Sequence, residues 1–131
     1  MLMPPVSRYM TTHPHAIAPR EKLSSARHLM ATREIHHLPV MDHDELVGIV
    51  SDRDLHPVHP LHDITVGELM TEDVAHCTPE TPLDQVLDLM ERRHCSSIVV
   101  IGATGVEGIF TVNDALRALG DVLRRTVEDQ P

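Results

Sequence analysis

Apolar side chains recur at helical spacing in two stretches of the chain and predict two amphipathic helices. Before the later stretch, Thr81 is the predicted N-cap, Pro82 the first helical residue, and Asp84 follows three residues after the cap. This order of residues is typical of helix starts. The apolar positions are spaced three or four residues apart. They are Leu83, Val86, Leu87 and Met90 in the later stretch, and Leu23, Ala26, Leu29 and Met30 in the earlier one.

Short aliphatic runs on either side of polar turns predict two β-hairpins. The four predicted strands are residues 38–41, 46–50, 98–101 and 106–110. The turns at residues 42–45 and 102–105 consist of small and polar residues, which favour tight reversals of the chain. Each hairpin follows one of the predicted helices, and each helix follows a short extended segment at residues 15–18 or 75–78.

The two halves of the chain match each other at an offset of 60 residues without a gap. An ungapped repeat indicates two copies of one supersecondary unit, here β-α-β-β-α. Two copies are too few for a solenoid, so we expect them to pack face to face about a pseudo-twofold axis. The matched pairs include Met10 with Met70, Leu23 with Leu83, Met30 with Met90, Val40 with Val100, Gly48 with Gly108, and Asp54 with Asp114.

The boundaries of the repeats follow from this match. We predict a first repeat at residues 6–57, a linker at 58–65, and a second repeat at 66–125. The last helix differs between the copies because Pro57 and Pro60 end it early in the first, since proline lacks the amide that a helix needs. In the second copy the helix is predicted from Asn113 to about Val127.

The repeated motifs resemble those of CBS domains, and the chain resembles a tandem CBS pair, or Bateman module, over residues 6–120. The most specific motif is Gly-x-x-Ser/Thr-x-x-Asp, which ends in Asp54 and again in Asp114. The other matching segments are 9–11, 37–40 and 68–71. The resemblance implies an α+β fold in which two pseudo-twofold-related β-α-β-β-α repeats pack through their sheets.

The resemblance also implies a function. CBS pairs bind adenosine-containing ligands, namely AMP, ADP, ATP and in some cases S-adenosylmethionine or NAD, in clefts between the copies. They form dimers, and they regulate an enzyme or channel. We therefore expect a regulatory ligand-sensing module that needs no cofactor, forms a homodimer and acts on an unidentified partner protein.

The candidate nucleotide site lies where a strand turns into a helix in each copy. The Ser51 or Thr111 hydroxyl can contact phosphate there, and the Asp54 or Asp114 carboxylate can accept hydrogen bonds from ribose hydroxyls. The same residues form a capping box, which any helix can use, so the two roles coexist. The predicted walls and edges of the base slot are Ile17, Ala18, His37, Leu38 and Pro39 in the first copy, and Cys77, Thr78, Ser97, Ile98 and Val99 in the second.

The two sites are predicted to differ in strength. Arg53 lies beside Asp54 and can meet a phosphate, whereas its counterpart Asn113 is uncharged. Residues 1–60 have a net charge of −1, from 6 basic and 7 acidic residues, and residues 61–131 have −8, from 5 and 13. Val99 also replaces Pro39. We expect one strong site in the first copy and a weak or empty one in the second.

Composition excludes several other functions. The formal charge of −9 and the two aromatic residues, Tyr9 and Phe110, argue against nucleic acid as a partner. The two cysteines align with aliphatic residues, and no catalytic motif is present, so we do not expect an enzyme. No signal peptide or membrane-spanning run is found, so we expect a cytoplasmic protein without a membrane partner.

The 11 histidines leave an alternative open. His56, His59 and His62 recur every third residue and form a weak candidate metal site. The alternative function is a metal- or pH-responsive interaction module with vestigial nucleotide clefts, although the bland interpretation of these histidines is a solvated linker.

Apolar surface beyond the needs of one core supports the expected homodimer. It is predicted on the faces of two helices: Leu83, Val86 and Met90 on one, and Leu116, Leu119, Val122 and Leu123 on the other.

Overall fold

The computed structural model describes residues 2–60 and 62–128, and Leu61 in the predicted linker lies outside this part of the chain. It divides into two compact units of mixed α+β structure, as predicted. Unit A comprises Pro14–Val74, and unit B comprises the residues up to His13 together with those from Ala75 onwards. In chain order the elements are a 3-10 turn at Val6–Arg8, β1 (Thr11–Thr12), α1 (Leu23–Arg33), β2 (His37–Asp42), β3 (Glu45–Ser51), α2 (Asp52–Leu55), α3 (Val66–Leu69), β4 (His76–Cys77), α4 (Leu83–Arg93), β5 (Ser97–Gly102), β6 (Gly105–Thr111) and α5 (Val112–Glu128).

Unit B is built on a four-stranded sheet with the order β1-β6-β5-β4. β5 and β6 form an antiparallel hairpin, β1 joins β6 antiparallel, and β4 joins β5 in parallel. One face of this sheet packs against the helices of the unit. The buried core is Val6, Ala75, Leu83, Val86, Met90, Ile98, Val100, Phe110 and Ala118.

Unit A repeats the arrangement with less regular outer strands. The hairpin of β2 and β3 is antiparallel, Ile17 forms a parallel bridge with Val40, and Thr71 forms an antiparallel bridge with Ile49. Each of these partners lies 60 residues before its counterpart in unit B, except Thr71, which lies 60 after Thr11. The core of unit A is Ile17, Leu23, Ala26, Met30, Leu38, Val40, Val50, Leu55 and Val66.

Pro39 explains why the parallel pairing is shorter in unit A. At the equivalent position of unit B, the amide of Val99 donates a hydrogen bond to the carbonyl of Ala75 at 3.0 Å. Proline has no amide hydrogen, so unit A cannot form this bond, and its parallel pairing is reduced to a single bridge.

The segment that opens each repeat packs into the unit formed mostly by the other repeat. In unit B the Val6 amide donates to the carbonyl of Thr81 at 2.9 Å, and in unit A the Val66 amide donates to the carbonyl of Glu21 at 2.8 Å. The Val6 and Val66 side chains are both fully buried, which contributes roughly 1.5–3 kcal/mol each. The compact units therefore divide the chain differently from the sequence repeats.

The helices largely follow the predictions. α2 ends at Leu55, before Pro57, whereas α5 continues for 17 residues. The N-cap prediction for α4 was wrong by one residue: Pro82 is the cap, and the Thr81 hydroxyl instead accepts a hydrogen bond from the amide of Thr78 at 3.1 Å. No helix in the described part of the chain is long and apolar enough to cross a bilayer.

The spare apolar surface lies on α5 and not on α4. Leu83, Val86 and Met90 are buried in the core of unit B, so the prediction that they form an exposed face was wrong. An amphipathic helix needs its apolar face for its own unit first. On α5, by contrast, a stripe of large side chains remains exposed. It consists of Val112, Leu116, Leu119, Leu123 and Val127.

Two glycines allow the opening segments to cross the central strands. A Cβ on Gly108 would lie 2.6 Å from Sδ of Met10 and 2.9 Å from the carbonyl oxygen of Thr11. Gly48 is in the same position relative to the side chain of Met70 and the carbonyl of Thr71. The methionine can move, but the paired backbone carbonyl cannot move without breaking the bridge.

We expect Gly108→Ala to lower the free energy of unfolding by about 1–3 kcal/mol, because the added methyl overpacks this crossing. Gly120→Ala is the matched control: its Cβ would meet only the guanidinium end of Arg124 at 3.3 Å. In a helix this change should stabilise by up to about 1 kcal/mol. Urea unfolding measures both, and equal stability of the two variants would contradict the crossing.

Candidate functional site

In unit A the chain turns from β3 into α2 at Ser51, and Asp54 closes the turn. The Asp54 amide donates to Oγ of Ser51 at 3.2 Å, and the Ser51 amide donates to Oδ2 of Asp54 at 2.9 Å. The capping box is therefore formed. Within residues 2–60 and 62–128, no group donates to Oδ1 of this half-buried carboxylate. Asp54 keeps one oxygen available for a ligand.

In unit B the corresponding carboxylate is closed. Oδ2 of Asp114 accepts hydrogen bonds from the amide of Thr111 at 2.9 Å and from its hydroxyl at 3.2 Å. Oδ1 accepts from the hydroxyl of Thr11 at 3.2 Å and forms an ion pair with the guanidinium of Arg117. The residue is only 2% exposed. Asp54 and Asp114 thus match in sequence but differ in availability.

His37 lies next to the Ser51 turn because the two residues are partners across the β2–β3 hairpin. Burial lowers the pKa of the His37 imidazole, and the nearby Asp52 and Asp54 carboxylates only partly oppose this effect. The neutral ring is therefore favoured near pH 7, with one nitrogen able to donate and the other to accept. Such a ring suits hydrogen bonding to a base or ribose.

The structure corrects part of the predicted base slot. Ile17 and Leu38 belong to the buried core of unit A, and Ile98 belongs to that of unit B, so their side chains do not line a slot. Side chains alternate along a strand, but the run of buried residues in β2 hides the alternation in the sequence. Pro39 lies on the face opposite Leu38.

The remaining slot residues differ between the units. Ala18 is half-buried and Pro39 is buried in unit A, while Ser97 and Val99 are buried in unit B and lie outside its core cluster. Thr78 is exposed. Burial raises the pKa of the Cys77 thiol, so its thiolate, the nucleophilic form, is scarce near pH 7.

Arg53 is the cation nearest in sequence to the open carboxylate. Its side chain is exposed, and no carboxylate in the described residues forms an ion pair with it. The neighbouring Asp52 is instead hydrogen-bonded to Nδ1 of His36 at 2.7 Å. A phosphate near Ser51 would therefore meet a guanidinium that is not already neutralised.

The linker histidines do not form a three-ligand metal site. The rings of His59 and His62 lie 5.7 Å apart, but no group of three His, Cys, Asp or Glu residues within the described ranges is placed to hold a metal ion. The predicted cluster of His56, His59 and His62 is therefore not brought together in this structure.

Sequence reasoning missed two residues at the unit B site, Thr11 and Arg117. Arg117 follows Asp114 by three residues in a predicted helix, so their pairing was detectable from the sequence. Thr11 reaches Asp114 only because the opening segment packs into unit B, and nothing local indicates this.

The early end of α2 also leaves a feature that the sequence did not predict. An open groove of about 560 Å³ lies between α1 and the chain that follows α2. On one side of it, the Arg27 guanidinium donates to the carbonyls of Leu55 and Val58 at 3.1 and 2.8 Å, which satisfies the end of the short helix.

Comparison with known proteins identifies the family. The CBS domain family matches residues 6–56 and 66–121. The CBS domain pair of MJ0100, crystallised with 5'-methylthioadenosine and S-adenosyl-L-methionine, aligns over 92% of this chain and 98% of its own, with a TM-score of 0.85 and 26% identity. CBSX2 in complex with AMP aligns over 91% of this chain and 98% of its own, with a TM-score of 0.79 and 26% identity.

Among curated proteins, the chain is 31% identical over 103 residues to an inosine-5'-monophosphate dehydrogenase of Thermoplasma acidophilum. This match covers 78% of the chain but only 21% of the dehydrogenase, so the likeness to that enzyme concerns about a fifth of its length. The two matched segments, the repeated fold and the neighbours in complex with adenosine compounds agree. The chain belongs to the CBS domain family and contains two CBS domains in tandem.

Proposed function

We propose that the protein is a regulatory module that binds an adenosine-containing ligand, with its principal site in unit A. The observation that carries this proposal is the Asp54 carboxylate, which has one unpartnered oxygen beside the unpaired guanidinium of Arg53. A ligand with a vicinal diol and a nearby anionic group fits this pair of residues.

The chemistry of the site assigns a role to each side chain. An ionised carboxylate only accepts hydrogen bonds, so Oδ1 of Asp54 would receive the ribose hydroxyls. Arg53 would contact the phosphate through charge-assisted bonds, together with the Ser51 hydroxyl. Neutral His37, Ala18 and the ring of Pro39 are the remaining groups that could contact the base.

The relatives indicate which ligands to test first. CBSX2 was crystallised with AMP, and the MJ0100 pair with methylthioadenosine and S-adenosylmethionine. We propose AMP, ADP or ATP as the ligand of this chain because Arg53 favours a phosphate. S-adenosylmethionine and NAD are the further candidates.

We propose that the ligand acts on another protein and is not converted. The acidic and basic groups at the Ser51 turn are used in caps and pairs, and the Cys77 thiol is held in its protonated form. The family resemblance supports a regulatory role in the cytoplasm. The regulated partner is a protein of unknown identity.

We further propose that the protein is a homodimer and that the α5 stripe is its contact. Leu116, Leu119 and Leu123 are 63%, 56% and 55% exposed, and they lie on one face of the helix. Such a row is costly to leave in water and typical of an interface. Leu87 on α4 is also exposed, at 41%, and extends the apolar surface of unit B.

Calorimetry with AMP, ADP, ATP and S-adenosylmethionine tests the ligand site. Asp54→Asn should weaken binding about tenfold or more, because it replaces a charged acceptor with a neutral one while keeping a cap oxygen. Asp52→Asn, at an exposed carboxylate two residues away, is the control and should bind like wild type. Absence of binding by wild type to any of these compounds, or equal effects of the two variants, would refute the proposal.

Sedimentation analysis tests the dimer. Leu119→Glu should convert the dimer to a monomer, because it places a charge at the centre of the apolar stripe. Leu2→Glu is the control, since Leu2 is 91% exposed and lies outside the stripe. A monomeric wild type, or a Leu119→Glu variant that remains dimeric, would show that the stripe is not a self-contact.

A further inference from the structure

We infer that Arg117, with Thr11, keeps the nucleotide site of unit B closed, and that removing the Arg117 guanidinium would open a second ligand site. This inference rests on the proposed function of the Ser51–Asp54 turn. It adds a residue that determines how many ligands each chain binds.

The contacts of Asp114 show why it cannot accept a ribose as it stands. The Thr111 amide and hydroxyl occupy Oδ2, while the Thr11 hydroxyl and the Arg117 guanidinium occupy Oδ1. Only 2% of the residue is exposed. Every direction from which a diol could donate is therefore already used by the protein.

The same position in unit A lacks both closing groups. Pro57 stands 60 residues before Arg117, and a proline ring has no group that donates a hydrogen bond to a carboxylate. Thr71 is the counterpart of Thr11, but within the described residues its side chain forms no hydrogen bond to Asp54; its backbone pairs with Ile49. The proline that ends α2 thus also leaves Asp54 accessible.

The exchange of partners favours the closed state of unit B. A ribose offers neutral hydroxyl donors, whereas Arg117 offers a charge-assisted bond, which is the stronger kind. The guanidinium and the carboxylate are also tethered three residues apart on one helix, so their pairing costs little loss of freedom. A ligand would have to displace this internal cation before reaching Asp114.

Arg117 can be removed without damage to the core. Its side chain is 67% exposed, and it lies one turn into α5, beyond the capping residues. Asp114 would keep the Thr111 amide and hydroxyl as partners in its absence. The substitution therefore changes access to the carboxylate more than the fold.

The test uses AMP calorimetry on the full chain with the unit A site disabled. Asp54→Asn alone should bind AMP weakly, and Asp54→Asn with Arg117→Gln should regain binding by about tenfold or more, at one AMP per chain. Adding Asp114→Asn should abolish that regained binding. In the otherwise wild-type chain, Arg117→Gln should raise the number of AMP molecules bound from one to two.

Two controls isolate the guanidinium as the cause. Arg117→Lys keeps a cation near Asp114 and should leave the site closed, and Arg124→Gln removes an exposed charge from the same helix without effect on binding. If wild type binds one AMP but the Arg117→Gln variants gain none, the inference is wrong while the proposed function stands. If wild type binds no AMP, the proposed function itself has failed.

Discussion

The hydrogen bonds of one carboxylate at the end of the central hairpin organise each unit. Asp54 and Asp114 use Oδ2 to cap the helix that follows β3 or β6, and this bond turns the chain from sheet to helix. Because the carboxylate has a second oxygen, the same residue can hold the fold and still contact something else. In unit A that oxygen is left for a ligand, and in unit B the protein itself takes it. The difference between the two sites follows from how this single acceptor is used.

Local patterns in the sequence predicted most of the secondary structure. The 60-residue offset, the alternation in the hairpins and the proline at position 57 indicated the strands, the long α5 and the short α2. Two things depended on contacts between distant residues and were not predictable. The opening segments pack into the opposite unit, and the buried run in β2 conceals that Leu38 faces the core while Pro39 does not. Side-chain direction in such a strand is set by what packs on each face, which a single sequence does not reveal.

The candidate site was predicted in position but only partly in chemistry. The Ser/Thr-x-x-Asp motif and the Arg53–Asn113 difference indicated the right turns and an imbalance between them. The structure supplies a second reason for that imbalance, the partners of Asp114. One of these, Arg117, lies within reach of local reasoning, and the other, Thr11, does not. A duplicated motif can therefore diverge in availability without any change in the motif itself, through residues one helical turn away or at the far end of the chain.

The exchange of opening segments also gives the two units different histories during synthesis. Unit A is one continuous stretch of chain, so all of its contacts are available once residue 74 has emerged. Unit B needs β1 from the start of the chain and β6 from near its end, so closing it costs the entropy of a loop that contains the whole of unit A. Contacts between residues so distant in sequence form slowly. A folded unit A would shorten that loop by holding residues 14 and 74 within one compact body, so the order of the chain favours folding of the ligand-accessible unit before the closed one.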